Sequence, residues 1–315
     1  MPLRVLHCPV NLAGVGWTNV QAQRRRGVDA RLLLFKRTRS RPEEGDIFLE
    51  LPGKSFTRRQ LTQMRAFLSV LPQTDVFHFY FGLTLIPKKL QFPVLRMTRK
   101  KSLFHFLGAD IRDRPRDELA YGLKADARIV GSFDALRYVP FDAHVVPPGI
   151  ELERYEPAFP EEHNGPVRVV HAPSNREKKG TEHVVAACRQ LPVELDVVEK
   201  VHNREALERY ARADIVVDQT HRGWHGLFTI EAMALGKPVV TSLNEQAVRQ
   251  TEAAFGVEVP IVAAGKDDLV EKLRPLVDSF ELRKRLGEQG RAYVERIHDL
   301  DKVADRFVEL YKSVL

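Results

Sequence analysis

Cysteine is nearly absent: Cys8 and Cys188 are the only two in 315 residues, and 180 positions separate them. They fall in different halves of the chain, so a disulfide framework is excluded, and reduced thiols in a cytosolic protein are expected. Long apolar runs are missing as well. None approaches the 18 or so residues that a membrane-spanning helix requires. The opening Met-Pro-Leu-Arg-Val-Leu runs straight into a strand pattern without a separate apolar leader, so no secretory signal is expected. There is no internal repeat and no low-complexity segment. Hydrophobic residues nonetheless make up 43% of the chain, which excludes wholesale disorder. The length suits two domains of about 150 residues.

Charge is unevenly spread beneath a net value of +7. Residues 1–155 hold 26 Lys and Arg against 15 Asp and Glu, a balance of +11, while the remainder balances to −4. Basic runs stand at 24–26, 58–59 and 99–101. A basic half attracts a phosphate-bearing acceptor, a membrane face or nucleic acid, or else reflects ordinary surface variation.

Short apolar runs alternate with helix-like stretches. Residues 4–10 read as a strand, 18–26 as a helix closed by Gly27, 30–35 and 46–51 as strands, and 57–71 as a helix. Strands follow at 75–81, 102–107, 127–130 and 143–146, with short helices between them. Five prolines in 147–166 mark a linker. The rhythm then restarts, with strands at 167–171, 194–199, 214–218 and 238–241 and helices at 181–191, 204–212 and 227–235. Beyond 260–263 the chain is helical to its end. Alternation of this kind predicts an α/β fold of two Rossmann-like doubly wound domains, with ligands beyond the carboxyl ends of the strands. The expected domains are 1–155, 156–298, and a C-terminal helix 299–315 that packs back on the first.

Four strand-to-helix segments carry candidate chemistry. In 12–16, Gly14 and Gly16 either let backbone N–H groups approach an anion or form a tight structural turn. A dinucleotide fingerprint would need Gly or Ala where Asn19 stands, and no acidic residue ends the second strand, so a dehydrogenase is disfavoured. In 104–112, a strand ends in Gly108-Ala-Asp110-Ile-Arg112; His105 and Asp110 are catalytic candidates, or else a core histidine and a turn cap. In 172–181, Arg176 and Lys179 precede a helix start and suit a phosphate, or form a solvated charge run. In 214–240, a strand, a loop holding His225 and Gly226, and a helix follow in order. That helix is apolar except for Thr229 and Glu231, and an uncompensated charge there requires a partner: a ligand hydroxyl, a salt bridge or a backbone group.

At these residues the chain resembles retaining glycosyltransferases of the GT-B fold, glycosyltransferase family 4. Residues 12–16 are similar to the family's glycine loop, 104–112 to its strand ending in Gly-x-Asp, 145–157 to its interdomain signature, and Lys179-Gly180-Thr181 to its basic loop. Gly226-Leu…Glu231-Ala-Met-Ala-Leu-Gly-Lys-Pro-Val-Val240 matches its donor segment closely. The resemblance implies a nucleotide-diphosphate sugar held mainly by the second domain. Glu231 would accept from the ribose hydroxyls, and Lys179 would neutralise the diphosphate. Backbone N–H groups near Gly226, Leu227 and Phe228 would face phosphate, with Gly14 and Gly16 closing over it. It also implies transfer with retention and without a metal or other cofactor. Asp299-Leu-Asp301, the one Asp-x-Asp, reads as a helix start.

Three departures stand out. Where the family has a glutamate eight residues before Glu231, this chain has Gly223. Ser174 replaces a basic residue, and Leu107 replaces a histidine; His105, His225 and Arg176 are the nearby substitutes. The expected protein is a cytoplasmic transferase, peripheral at the inner membrane face through its basic first domain. Its acceptor is anionic or lipid-linked, and its context is cell-envelope polysaccharide. No nucleic-acid partner is expected. The alternatives are a GT-B protein that binds a nucleotide or partner without transfer, and a Rossmann-type nucleotide-sugar epimerase or dehydrogenase.

Overall fold

A computed structural model describes residues 2–37 and 42–315. The chain divides into two compact units, Met1–Gly149 with Leu300–Leu315, and Ile150–Asp299. The division therefore falls before Ile150 rather than after Tyr155. The cause is that Ile150 and Tyr155 bury their side chains in the second unit's core, and the Ile150 N–H donates to the His298 carbonyl.

The first unit runs β1 (Arg4–Cys8), α1 (Val15–Arg25), β2 (Asp29–Leu34), β3 (Ile47–Phe48), α2 (Phe56–Val70), β4 (Val76–Tyr80), α3 (Lys88–Met97), β5 (Lys101–Phe106), β6 (Ala127–Val130) and β7 (His144–Val145). The strands are parallel, in the order β3-β2-β1-β4-β5-β6-β7. Strand β1 stops at Cys8, short of the expected residue 10, before Pro9, which has no N–H to offer a ladder. The strand expected over 46–51 shrinks to Ile47–Phe48, because Glu50 takes a positive φ of 48°.

The second unit runs β8 (Val167–His171), α4 (Arg176–Lys179), α5 (Thr181–Cys188), β9 (Val193–Val197), α6 (Asn203–Ala211), β10 (Ile215–Val217), α7 (Leu227–Ala234), β11 (Val239–Thr241), α8 (Glu245–Phe255), β12 (Val262–Ala263), α9 (Leu269–Asp278) and α10 (Phe280–Ile297). Its parallel order is β12-β11-β10-β8-β9. The last helix, α11 (Leu300–Val314), lies in the first unit, where Val303, Phe307, Leu310 and Tyr311 share a core with β1, β2 and β4.

Each sheet is covered on both faces. In the first unit, α2 and α3 bury Phe67, Val70, Phe92 and Leu95 against one face. Helices α1 and α11 cover the other. Both units are Rossmann-like and doubly wound. The direction of winding reverses between β1 and β4 in the first unit and between β8 and β10 in the second, and beyond the carboxyl ends of strands at such reversals open α/β sheets place their ligands.

Candidate functional site

At the reversal point of the second unit, the loops after β8 and β10 lie against each other. The Thr220 N–H donates to the Lys179 carbonyl at 3.2 Å. Gly180 sits at φ 71°, and a Cβ there would lie 2.0 Å from the Thr220 hydroxyl, so both the backbone angle and the close approach require glycine. The Lys179 ammonium donates to Asp218 Oδ1. Asp218, fully buried, also accepts from the Thr229 hydroxyl at 2.9 Å and from the Gly226 N–H at 3.4 Å. Burial opposes ionisation of Asp218, but Lys179, Thr229 and Gly226 together outweigh it and hold the carboxyl below its ordinary range.

Helix α7 starts at this point. The N–H groups of Leu227 and Phe228 open it and have no intrahelical acceptor. One turn further in, Glu231 Oε1 accepts from the Tyr155 hydroxyl at 3.1 Å. Tyr155 is the partner that the apolar setting of Glu231 demanded. His225 precedes the helix, is 7% exposed, and stacks on Trp224 at 4.9 Å. Among the described residues neither of its ring nitrogens has a hydrogen-bond partner, and burial pushes its pKa down to about 4. The loop itself is clamped by Gln219, whose amide donates to the Ser242 carbonyl at 3.1 Å and accepts from the His221 N–H at 2.9 Å.

Arg176 does not join this cluster. Its guanidinium is held by Glu182 and Glu199, each at 2.8 Å, so two carboxylates already satisfy the cation expected to back up Lys179. The sequence alone assigns no site role to Asp218, Thr229, Gln219 or Tyr155. The one legible hint was that Asp218 ends a strand, where the fold places ligands.

In the first unit, Gly14 caps α1 at φ 80°, and Asn11 Oδ1 accepts from the Trp17 N–H at 3.1 Å. A Cβ on Gly16 would meet Asn11, Leu32 and Tyr80 at 3.3 to 3.4 Å, so Gly16 allows close packing. Asp110 is buried. Its Oδ1 accepts from the Leu107 N–H at 2.9 Å, Oδ2 has no partner among the described residues, and burial raises its pKa to about 6.

His105 points away from Phe104 and Phe106, into a buried polar chain. His7 Nε2 lies 2.9 Å from Gln23 Oε1 and must donate to it, and the Gln23 amide donates to the Tyr311 hydroxyl at 3.0 Å. The Tyr311 hydroxyl lies 2.7 Å from His78 Nδ1, and His78 Nε2 lies 3.1 Å from His105 Nδ1. Burial, more than any neighbouring charge, lowers His7 to about 4 and His105 to about 3. Burial therefore makes His105 a neutral core imidazole. Of the two readings open for this residue, its surroundings are those of a core histidine.

Residues 167–309, less than half of the chain, match the family model described as "Glycosyl transferase-like". No curated protein sequence matches this one. Solved structures do. Sucrose-phosphate synthase from Thermosynechococcus elongatus superposes with a TM-score of 0.71 at 16% identity, over 100% of this chain and 99% of that one. Anabaena HepE in complex with UDP gives 0.68 at 14% identity, over 99% and 100%. The fold is GT-B. GT-B architecture extends beyond transferases: UDP-GlcNAc 2-epimerase from Neisseria meningitidis gives 0.56 at 14% identity, over 98% and 99%. The match of residues 167–309 to a glycosyltransferase-like model, unlike the fold alone, bears on chemistry.

Proposed function

We propose that this chain is a retaining, metal-independent glycosyltransferase that takes a nucleotide-diphosphate sugar in its second unit and delivers a hexose to the hydroxyl of an anionic acceptor. The observation that carries the reading is the gathering of Lys179, the N-terminus of α7 and Glu231 at the reversal point of the second sheet. These are the groups that a nucleoside diphosphate needs. A carboxylate accepts from ribose hydroxyls, and helix N–H groups and an ammonium receive phosphate oxygens. The match of the same residues to a glycosyltransferase-like model supports it, as does the fold shared with UDP-bound HepE.

In this reading Tyr155 orients Glu231 toward the ribose, and the diphosphate lies against the N–H groups of Leu227 and Phe228. Lys179 exchanges Asp218 for the phosphate, or bridges the two, and strengthens its hold as negative charge grows on the leaving group. The unpartnered ring of His225 offers a hydrogen bond to the same ligand. The sugar departs toward a hydroxyl on the face the leaving group vacates, which preserves configuration.

The test is a thermal-shift screen against UDP, GDP and ADP sugars, followed by turnover of whichever donor binds, with and without EDTA. The expected outcome is EDTA-insensitive release of nucleotide diphosphate, lost in Lys179→Ala. No stabilisation by any nucleotide sugar would overturn the reading. Binding without turnover would leave a nucleotide-binding protein in its place.

A further inference from the structure

From residue 51 to residue 109 the chain contains ten Lys and Arg and a single acidic residue, Asp75. Asp75 is already held by Arg4 at 2.6 Å and Lys100 at 3.5 Å. Helices α2 and α3 lie within this stretch and contain no acidic residue at all. Both sit on the same face of the first unit's sheet and bury one stripe each in the same core.

Their outward stripes are apolar as well as basic. On α2, Leu61 and Leu68 are 49% and 56% exposed, alternating at helical spacing with Arg58 and Arg65, and Phe56 at the start is 77% exposed. On α3, Leu90 and Met97 are 53% and 80% exposed beside Lys89 and Arg96. Among the described residues, none of these four cations pairs with a carboxylate. The basic runs at 24–26 and 100–101 behave differently. Arg24 pairs with Asp46, Arg25 and Arg26 pair with Asp301, Arg26 also pairs with Asp305, and Lys101 faces Asp126. The charge excess of the first unit is thus spent internally at 24–26 and left unpaired on α2 and α3.

Unpaired cations interleaved with protruding aliphatic side chains fit the interface of an anionic bilayer. The cations meet lipid phosphates while the Leu, Met and Phe side chains enter the acyl boundary. Nucleic acid would use the cations but give Leu61, Leu68 and Leu90 nothing to enter. We propose that the α2–α3 face docks this protein on an anionic membrane surface. The proposal is independent of the transferase reading, since vesicle binding is measured with no donor or acceptor present.

The experiment is co-sedimentation of the full chain with vesicles of phosphatidylglycerol and phosphatidylcholine in equal parts, against pure phosphatidylcholine, at low and high salt. Binding is expected to the anionic vesicles alone and to weaken as salt rises, because exposed charges are screened over a Debye length of about 8–10 Å. Two variants probe the two chemistries: Arg58→Glu/Arg65→Glu/Lys89→Glu/Arg96→Glu, and Leu61→Gln/Leu90→Gln/Met97→Gln. Each should lose at least roughly tenfold in affinity, since several contacts of about fivefold each are removed. Lys284→Glu/Arg285→Glu, exposed on α10, should bind as the parent does. Melting curves confirm that each variant is folded. Equal binding to both vesicle types, no binding, or α2–α3 variants that bind like the parent would overturn the proposal. So would a concentration-dependent dimer abolished by the leucine variant without vesicle binding, which would give the face to a second copy.

Discussion

Asp218→Asn separates what the Lys179–Asp218 pair does for the fold from what Lys179 does for a ligand. The substitution keeps side-chain size, and the Thr229 hydroxyl retains an acceptor, but Lys179 loses its counter-charge. Asp218 is fully buried, while the Lys179 side chain keeps 17% of its exposure. Removing one partner of a fully buried pair costs about 3–5 kcal/mol. Because Lys179 can partly rehydrate, about 2–4 kcal/mol is the better figure. For a unit of this size that lowers Tm by roughly 5–15 °C in calorimetry. Adding Lys179→Met removes the orphaned cation, so the double variant should recover at least half of the loss. UDP should then stabilise Asp218→Asn more than the parent, since Lys179 is released to the diphosphate, and this surplus should vanish in the double variant. The pH dependence has a definite sign. The carboxyl is held below its ordinary range in the folded state. Its contribution is therefore complete above the unfolded value of about 3.9 and fades as pH falls through the lower folded value. Asp218→Asn should flatten that acid limb. A double variant no more stable than Asp218→Asn would refute the charge argument, and the absence of surplus UDP stabilisation would refute the role of Lys179.

Glu231→Gln should weaken nucleotide binding roughly tenfold to a hundredfold in calorimetry, the equivalent of about 1.5–3 kcal/mol for charged hydrogen bonds. Tyr155→Phe, which removes a single hydrogen bond to the carboxylate, should cost less, roughly twofold to tenfold. Gly287→Ala on α10 would put a Cβ 2.1 Å from the backbone oxygen of Gly236, so a stability loss of about 1–3 kcal/mol or more is expected, and an unchanged urea midpoint would contradict the packing. His7, His105 and His225 are buried neutral with pKa values pushed down to about 4, 3 and 4. The unfolded chain takes up their protons first, so stability should fall as pH drops below about 6.5, by about 1.4 kcal/mol per pH unit for each ring, and level off near the folded values. Urea unfolding at pH 7, 6 and 5 reads this directly, and a flat profile would remove the premise that the rings stay neutral.

Local signals in the sequence carried the fold a long way. Short apolar stretches rich in Val, Ile, Leu and Phe, alternating with helical ones, became parallel strands because such stretches can be buried on both faces of a sheet. Helix α8 went unassigned although its signals were present. Asn244 accepts from the N–H groups of Gln246 and Ala247, and Gly256 closes the helix at φ 61°. What stayed hidden depends on register and on distance along the chain. Nothing local says that Tyr155 will meet Glu231, that Asp218 rather than a free phosphate will face Lys179, or that Glu182 and Glu199 will claim Arg176. The polar chain behind His105 is the extreme case. It joins β1, β4 and β5 through Tyr311, which lies 233 positions from His78. A lone histidine on a strand reads the same whether it faces a ligand or such a network.

The sharpest remaining question is the fate of the sugar, because the fold is shared by transferases and by a 2-epimerase that binds UDP-GlcNAc. Lys179, Glu231 and the start of α7 test only the half that both reactions have in common, a nucleotide diphosphate that must be held. The sugar ring separates them. Inverting C2 requires that its C–H bond be broken and remade, so in D2O an epimerase places deuterium at C2. Transfer changes bonding at C1 and leaves the C2 hydrogen in place. No side chain of the second-unit cluster is an obvious base for C2. Lys179 is ion-paired to Asp218, and Glu231 lies one turn inside α7 against Tyr155. His225 is lowered to about 4, which makes it a weak base. The expected result, with UDP-GlcNAc or whichever donor binds, is nucleotide release with no deuterium at C2 by proton NMR of recovered donor and product. Deuterium at C2 in recovered donor, or appearance of the C2 epimer, would refute the transferase reading while leaving the nucleotide site intact.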